Sequence, residues 1–209
     1  MLLLLLFLKK IFWGDRVYCR QVPAAWREEL DDGSLKRRRD EFRQEAGEYQ
    51  FEYPGWGTGK AYRTDFGPQT SPEAYRRYGP LRLWRVGGVR SFRHTFKYCP
   101  HLTGTGLEAW DVRSGRDFEY MFLGCLALRV DLSGWRLGGG AGEEIDLRCM
   151  LRYSGAAAVG SLEAWVAERH GPGGGAERVD VECMLWHNTG TQKPGWASAA
   201  QNGKYIHAW

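Results

Sequence analysis

The chain has 209 residues, 43% of them hydrophobic, which allows a buried core and excludes wholesale disorder. A formal charge of +4 and a pI near 8.8 are only mildly basic and do not call for a nucleic-acid partner. Five cysteines (Cys19, Cys99, Cys125, Cys149 and Cys183) are too few and too dispersed for a disulfide-stapled mini-domain, and their odd number leaves at least one unpaired within the chain.

In chain order, an apolar run from Met1 to Leu8 is followed at once by Lys9 and Lys10. It is far shorter than the ~20 residues that span a bilayer. It also lacks the basic n-region and the nearby small-residue cleavage site of a secretory signal. A degenerate signal, a weak anchor continued by Ile11-Phe12-Trp13 and a misplaced start codon all fit, so membrane attachment is left open. Residues 15–50 read as helical, with Trp26, Leu30, Leu35 and Phe42 forming a loose apolar stripe that Gly33 breaks or kinks. The run Lys36-Arg37-Arg38-Arg39 has the chemistry to touch phosphates or an acidic membrane. The flanking Asp31, Asp32, Asp40, Glu41 and Glu45 favour a solvated helix face instead. From Tyr49 to Pro72, aromatics, glycines and prolines read as a loop-rich connector. Ser71-Pro72-Glu73 then makes a helix start, with proline at the first helical position.

From Tyr78 onward the text repeats. Trp84, Phe92, Phe96 and Cys99 recur 26 residues later as Trp110, Phe118, Phe122 and Cys125. Two weaker units follow: Trp135 before Ile145–Leu151, and Trp165 before Val179–Leu185. In these, Met150 and Met184 take the place of Met121, and Leu151 and Leu185 that of Phe122, while Ser154 and Asn188 replace the cysteine. Trp196 closes a last partial unit, and the glycine runs 138–142 and 171–175 mark surface loops on one side of the repeats.

Large apolar side chains at one phase of each unit are buried only when units stack, which predicts ladders of Trp and of Phe96, Phe122, Leu151 and Leu185. Leu126–Leu132 alternates apolar and polar residues like a strand with one buried face. Aromatics four apart in the Phe92–Tyr98 and Phe118–Gly124 blocks suggest a single helical turn. The expected fold is therefore α/β: a short leucine-rich-repeat-like solenoid, one short strand and one short helical turn per coil, right-handed by the resemblance that Tyr78–Trp135 bears to a known repeat family, with a mainly helical N-terminal extension. The expected organisation is an extension over 1–70, helical then loop-rich, and a solenoid of about four units over 71–209.

Tyr78-Gly79-Pro80-Leu81-Arg82-Leu83-Trp84, followed by Phe92, Phe96 and Cys99, then Trp110-Asp111, Met121-Phe122, Cys125 and Asp131-Leu132-Ser133-Gly134-Trp135, resembles the BspA-like leucine-rich-repeat surface proteins. The match is close from Tyr78 to Trp135 and weaker to Trp196. It departs from the family pattern where Arg85, Arg136 and Val166 stand after Trp in place of aspartate. The resemblance implies a cell-surface or secreted protein with a role in adhesion or protein binding.

The residues show no nucleophile elbow, phosphate-binding loop or H-E-x-x-H pattern, and the five histidines have no partner spacing that suggests a triad. Cys149 and Cys183 with His170 and His187 lack the paired spacing of a zinc site. Cys99 and Cys125, on adjacent units, are read as buried apolar groups, a disulfide being the alternative. No catalytic residue, metal or cofactor is expected, and a strongly shifted His or Cys in a pocket would be needed to revive an enzyme reading. The expected function is non-enzymatic binding of a protein or cell-surface ligand, without nucleic acid. The alternative is an intracellular repeat scaffold or a diverged family remnant without a dedicated ligand. Candidate binding residues are Thr103, Thr105 and Glu108 in one unit and Arg129 and Asp131 in the next.

Overall fold

The computed structural model describes residues 22–137, 144–158, 178–188 and 205–207. The apolar N-terminal run, Cys19, Trp165, His170, Trp196 and the two glycine runs named above lie outside them.

Helix α1 spans Asp32–Ala46. Asp31 caps it by accepting from the Ser34 amide at 2.8 Å, while the Asp31 amide donates to Ser34 Oγ at 2.9 Å, so two orphan donors of the first turn are satisfied together. Gly33 therefore sits inside the first turn and does not break the helix. Leu35, Arg38 and Phe42 share the buried face. The segment expected as a loop-rich connector instead forms an antiparallel hairpin of β1 (Glu48–Tyr53) and β2 (Gly57–Tyr62). Tyr49, Phe51 and Tyr53 alternate with Gln50 and Glu52, the period of a strand, and Gly55 and Gly57 turn the chain at φ of 73° and 89°. Helix α2 (Pro72–Tyr78) starts at Ser71-Pro72, as its sequence suggests.

The repeat region is built from four eight-residue blocks, 92–99, 118–125, 147–154 and 181–188, each made of two consecutive four-residue turns. In the first block the amides of Thr95, Lys97 and Cys99 donate to carbonyls three residues back. The amides of Phe92, His94, Phe96 and Tyr98 donate instead to Asp117, Glu119, Met121 and Leu123 of the next block, at 2.7–3.1 Å. The same alternation joins the second block to the third and the third to the fourth. Apart from Phe66, every described non-glycine residue with positive φ is the third residue of one of these turns: His94, Tyr98, Tyr120, Cys149, Tyr153, Cys183 and His187. That is the left-handed position that a type II turn requires.

These bonds overturn the expected solenoid. Aromatics four residues apart fit one helical turn, but they fit two consecutive four-residue turns equally well, and a left-handed third residue ends any α-helix. Among the described residues both α-helices lie before residue 79, the repeat region has only single 3-10 turns at Leu81–Leu83 and Leu107–Ala109, and strand–helix coils do not recur along it. The described strands of the repeat region are two or three residues long: β3 (Arg129–Asp131), β4 (Ile145–Asp146), β5 (Ala156–Ala158), β6 (Arg178–Asp180) and β7 (Tyr205–His207). They form a parallel β3–β5 pair and a β4–β6–β7 sheet in which β6 and β7 are antiparallel. Among the described residues the chain is thus a small α/β assembly with short sheets and no leucine-rich-repeat solenoid, and its N-terminal part adds a hairpin to α1.

The repeated aromatic positions do meet. Phe92 stacks on Phe118 at 5.1 Å, Phe96 on Phe122 at 5.5 Å and Trp84 on Trp110 at 6.2 Å, with ring planes within 17° of parallel. Leu147, Leu151, Val181 and Leu185 continue the same buried rows. Each indole N–H finds a carbonyl, Trp110 on Leu81 at 2.8 Å and Trp135 on Leu107 at 2.9 Å, so the large rings are buried without an orphaned donor.

The first block has no predecessor to supply amides to its outer carbonyls. Arg43 of α1 takes that place, donating from one Nη2 to the carbonyls of His94, Thr95 and Lys97 at 2.8–3.3 Å. The Tyr62 amide donates to Tyr98, and Asp32 accepts from the amides of Arg90 and Ser91. Leu30, Leu35, Phe42 and Phe66 join the same apolar core as the blocks.

Candidate functional site

The block geometry places chemically distinct rows of side chains beside each other. One row is Ser91, Asp117, Asp146 and Asp180, joined by parallel bridges or strand pairing. Each aspartate accepts the amide two residues on, Glu119, Arg148 and Glu182, at 2.9–3.0 Å, the hydrogen bond of an Asx turn. The next row reads Arg93, Glu119, Arg148, Glu182, in alternating charge.

Carboxylate oxygens of Asp117, Glu119 and Asp146 lie within 4.8 Å of one another, the grouping a metal ion would need. Two guanidiniums already occupy that space. Arg93 pairs with Glu119, and Arg148 lies 2.6 Å from Asp146 and 3.5 Å from both Glu119 and Asp180. Burial pushes the Glu119 carboxyl up, and Arg93 and Arg148 oppose the shift. A cation would have to displace both arginines, so the cluster reads as a closed charge network.

The described cysteines are free, and three of them, Cys99, Cys125 and Cys149, are buried and poorly suited to nucleophilic work. Burial raises the Cys99 thiol to about 11 and pushes Cys125 and Cys149 up as well. Cys125 Sγ donates to the Phe96 carbonyl at 3.0 Å. His94 is shifted strongly, to about 4, by burial first and then by the positive charges of Lys97, Arg93, Arg39 and Arg43. His94 lines neither of the two described cavities. One is an open groove of about 560 Å³ near Arg27, Arg82 and Arg85, and the other, of about 300 Å³, is lined by Asp40, Arg43 and Tyr62.

A second surface is aromatic. At the third position of the second turn the blocks carry Tyr98, Gly124, Tyr153 and His187. The bare Gly124 admits the hairpin, whose Tyr53 ring lies against it and donates its hydroxyl to the Lys60 carbonyl at 2.9 Å. Trp56, at the hairpin tip, stacks on Tyr153 at 4.9 Å and 12°. Tyr153 stacks on His187 at 4.8 Å and 5°, and His187 on Trp186 at 5.3 Å. Trp56 and Trp186 are the exposed large apolar side chains of the described residues, at 40% and 45%, and they cap the two ends of this one stack. Arg152 lies 4.3 Å from the Trp186 ring and 5.3 Å from that of Tyr153. Its Nε is buried without a hydrogen-bond partner, and among the described residues it has no carboxylate within ion-pair distance.

The residues singled out from the sequence for binding are placed elsewhere and have local partners. Thr103 and Thr105 share a hydroxyl contact at 3.3 Å, and Glu108 accepts the Gly106 amide at 2.8 Å. Arg129 donates to the carbonyls of Leu126 and Leu128, and Asp131 accepts the Ser133 amide. The Arg129 amide bonds the Thr103 carbonyl, which brings those two units side by side. Sequence reasoning passed over the aromatic stack because its members are 97 to 131 residues apart in the cases of Trp56–Tyr153 and Trp56–His187. The one available signal was that Tyr98, Tyr153 and His187 hold the same phase of the repeat.

No protein-family model, curated protein or solved structure matches this chain.

Proposed function

We propose that this protein is a non-enzymatic binding module that engages another protein, at a cell surface or as a secreted molecule, through the face that runs from Trp56 to Trp186. The reading rests on one observation: the exposed indoles are not scattered but end the same stack of rings. Exposed tryptophans that share a patch with tyrosine and arginine have the composition of interface anchors. Protonated buried thiols, carboxylates closed by arginines and a neutral His94 favour binding over catalysis. The resemblance of Tyr78–Trp135 to surface repeat proteins supports the location.

The test is a pull-down from surface and secreted protein fractions with the full chain and with the Trp56→Ser/Trp186→Ser variant. A partner retained by the first and lost by the second, at equal unfolding midpoints, is the expected result. Capture of the same partners by both would overturn this face as the site.

A further inference from the structure

The aromatic face carries a guanidinium with which no carboxylate of the described residues pairs. Arg152 packs over Trp186 and Tyr153 with no carboxylate in reach among the described residues, and its Nε is buried and unbonded. Lys97, 4.8 Å from the Tyr98 ring and 4.7 Å from that of Tyr120, adds a second positive charge, which the Glu119 carboxylate offsets in part without an ion pair. By contrast Arg93 and Arg148, one row away, are fully engaged by Glu119, Asp146 and Asp180. The nearest hairpin carboxylates do not answer the charge: Glu48 pairs with Lys60, and strand alternation puts Glu52 on the face opposite Phe51 and Tyr53.

The rings also set the chemistry. Tyr153 is covered on one side by Trp56 and on the other by His187, so its own faces are closed and only its rim is left. Aromatic rims are electropositive and their faces electronegative. Ring edges beside a half-buried guanidinium that has no carboxylate within ion-pair distance among the described residues favour carboxylates. A neutral sugar would leave Arg152 without a carboxylate, and a nucleic-acid strand needs a longer track of cations than Arg152 and Lys97 provide.

Resting on the binding-module reading above, we propose that the occupant of this face is an acidic polypeptide segment. It places a carboxylate on Arg152 and an adjacent aromatic or apolar side chain against Trp56 and Trp186. A carboxylate there would give Arg152 the charge-assisted partner that it lacks among the described residues.

The experiment titrates the full chain with a fluorescently labelled random copolymer of Glu and Tyr, with poly-Gln/Tyr, hyaluronan and oligo-dT as parallel arms. The Glu/Tyr copolymer is expected to bind, to weaken as salt rises, and to lose roughly tenfold in affinity with Arg152→Gln. Arg152→Lys, which keeps the charge, guards against a folding artefact and should retain most of the binding. Copolymer affinity unchanged by Arg152→Gln, equal binding of poly-Gln/Tyr, or tighter binding of hyaluronan or oligo-dT would each overturn the proposal. If binding is insensitive to Arg152→Gln but lost with Trp56→Ser/Trp186→Ser, the acidic chemistry is wrong and the aromatic face survives as a site. If the Trp variant also binds fully, the site itself fails.

Discussion

The ring of Tyr53 occupies the space into which a side chain at Gly124 would project: a Cβ there would stand 2.9 Å from Tyr53 Cε1. Tyr98, Tyr153 and His187 hold the equivalent left-handed turn position with full side chains, so backbone conformation alone does not demand glycine in the second block. The hairpin does. Gly124→Ala is expected to cost about 1–2 kcal/mol, from left-handed strain together with displacement of the ring. Urea melts in the wild-type and Tyr53→Ala backgrounds check this, because the cost should shrink once the ring is gone. Equal costs in both would place the strain in the backbone.

Phe122 is fully buried and stacked 5.5 Å from Phe96. Its replacement by alanine leaves a cavity between blocks that rigid turns on either side cannot close, so Phe122→Ala should cost about 3–5 kcal/mol. Indistinguishable urea midpoints would refute the stacked-row account of the core.

Arg43 should matter more than an ordinary partly exposed arginine. Its Nη2 serves three carbonyls that no other block reaches, and its guanidinium lies 4.5 Å from the Tyr62 ring. Arg43→Met keeps the stem but takes this donor from all three carbonyls, of which His94 keeps the Lys97 amide, for an expected loss of roughly 1–3 kcal/mol. Amide exchange should accelerate first in residues 92–99. Uniform acceleration across all four blocks would show that the helix does not close the first one locally.

His94 makes stability depend on pH with a definite sign. Burial and the surrounding cations lower its pKa from 6.5 to about 4, so the unfolded chain takes up a proton before the native one does. The associated stability is complete above about pH 6.5 and is lost progressively as pH falls towards about 4. His94→Gln should flatten the dependence of unfolding free energy on pH in that window. Parallel curves for the two proteins would mean that His94 is protonated in the folded state.

The sequence was most readable where side-chain identity and spacing suffice. The recurrence of Trp84, Phe92, Phe96 and Cys99 as Trp110, Phe118, Phe122 and Cys125 located the stacked positions, and Ser71-Pro72 located α2. It misled where backbone conformation decides the fold. A left-handed His94 or Tyr120 is not written in residue type as a glycine would be, so consecutive turns looked like a helix. The hairpin was hidden by its Pro-Gly-Trp-Gly tip, which outweighed the Tyr49, Phe51 and Tyr53 alternation. The aromatic face was hidden for another reason. It exists only because Gly124 lets the hairpin approach residues that lie far away in the chain.

Alternate amides within each of the first three blocks have separate duties, one set closing turns and the other reaching the next block. The spacing between equivalent residues is 26 from Phe92 to Phe118, 29 to Leu147 and 34 to Val181, yet the same amides reach across each time. Length between blocks is therefore free to drift, and length within them is not. A single residue inserted inside a block would exchange the two duties from that point on, whereas an inserted four-residue turn would preserve them. Growth of such a chain over generations is thus confined to two channels: loops of any size between rungs, and whole turns within them.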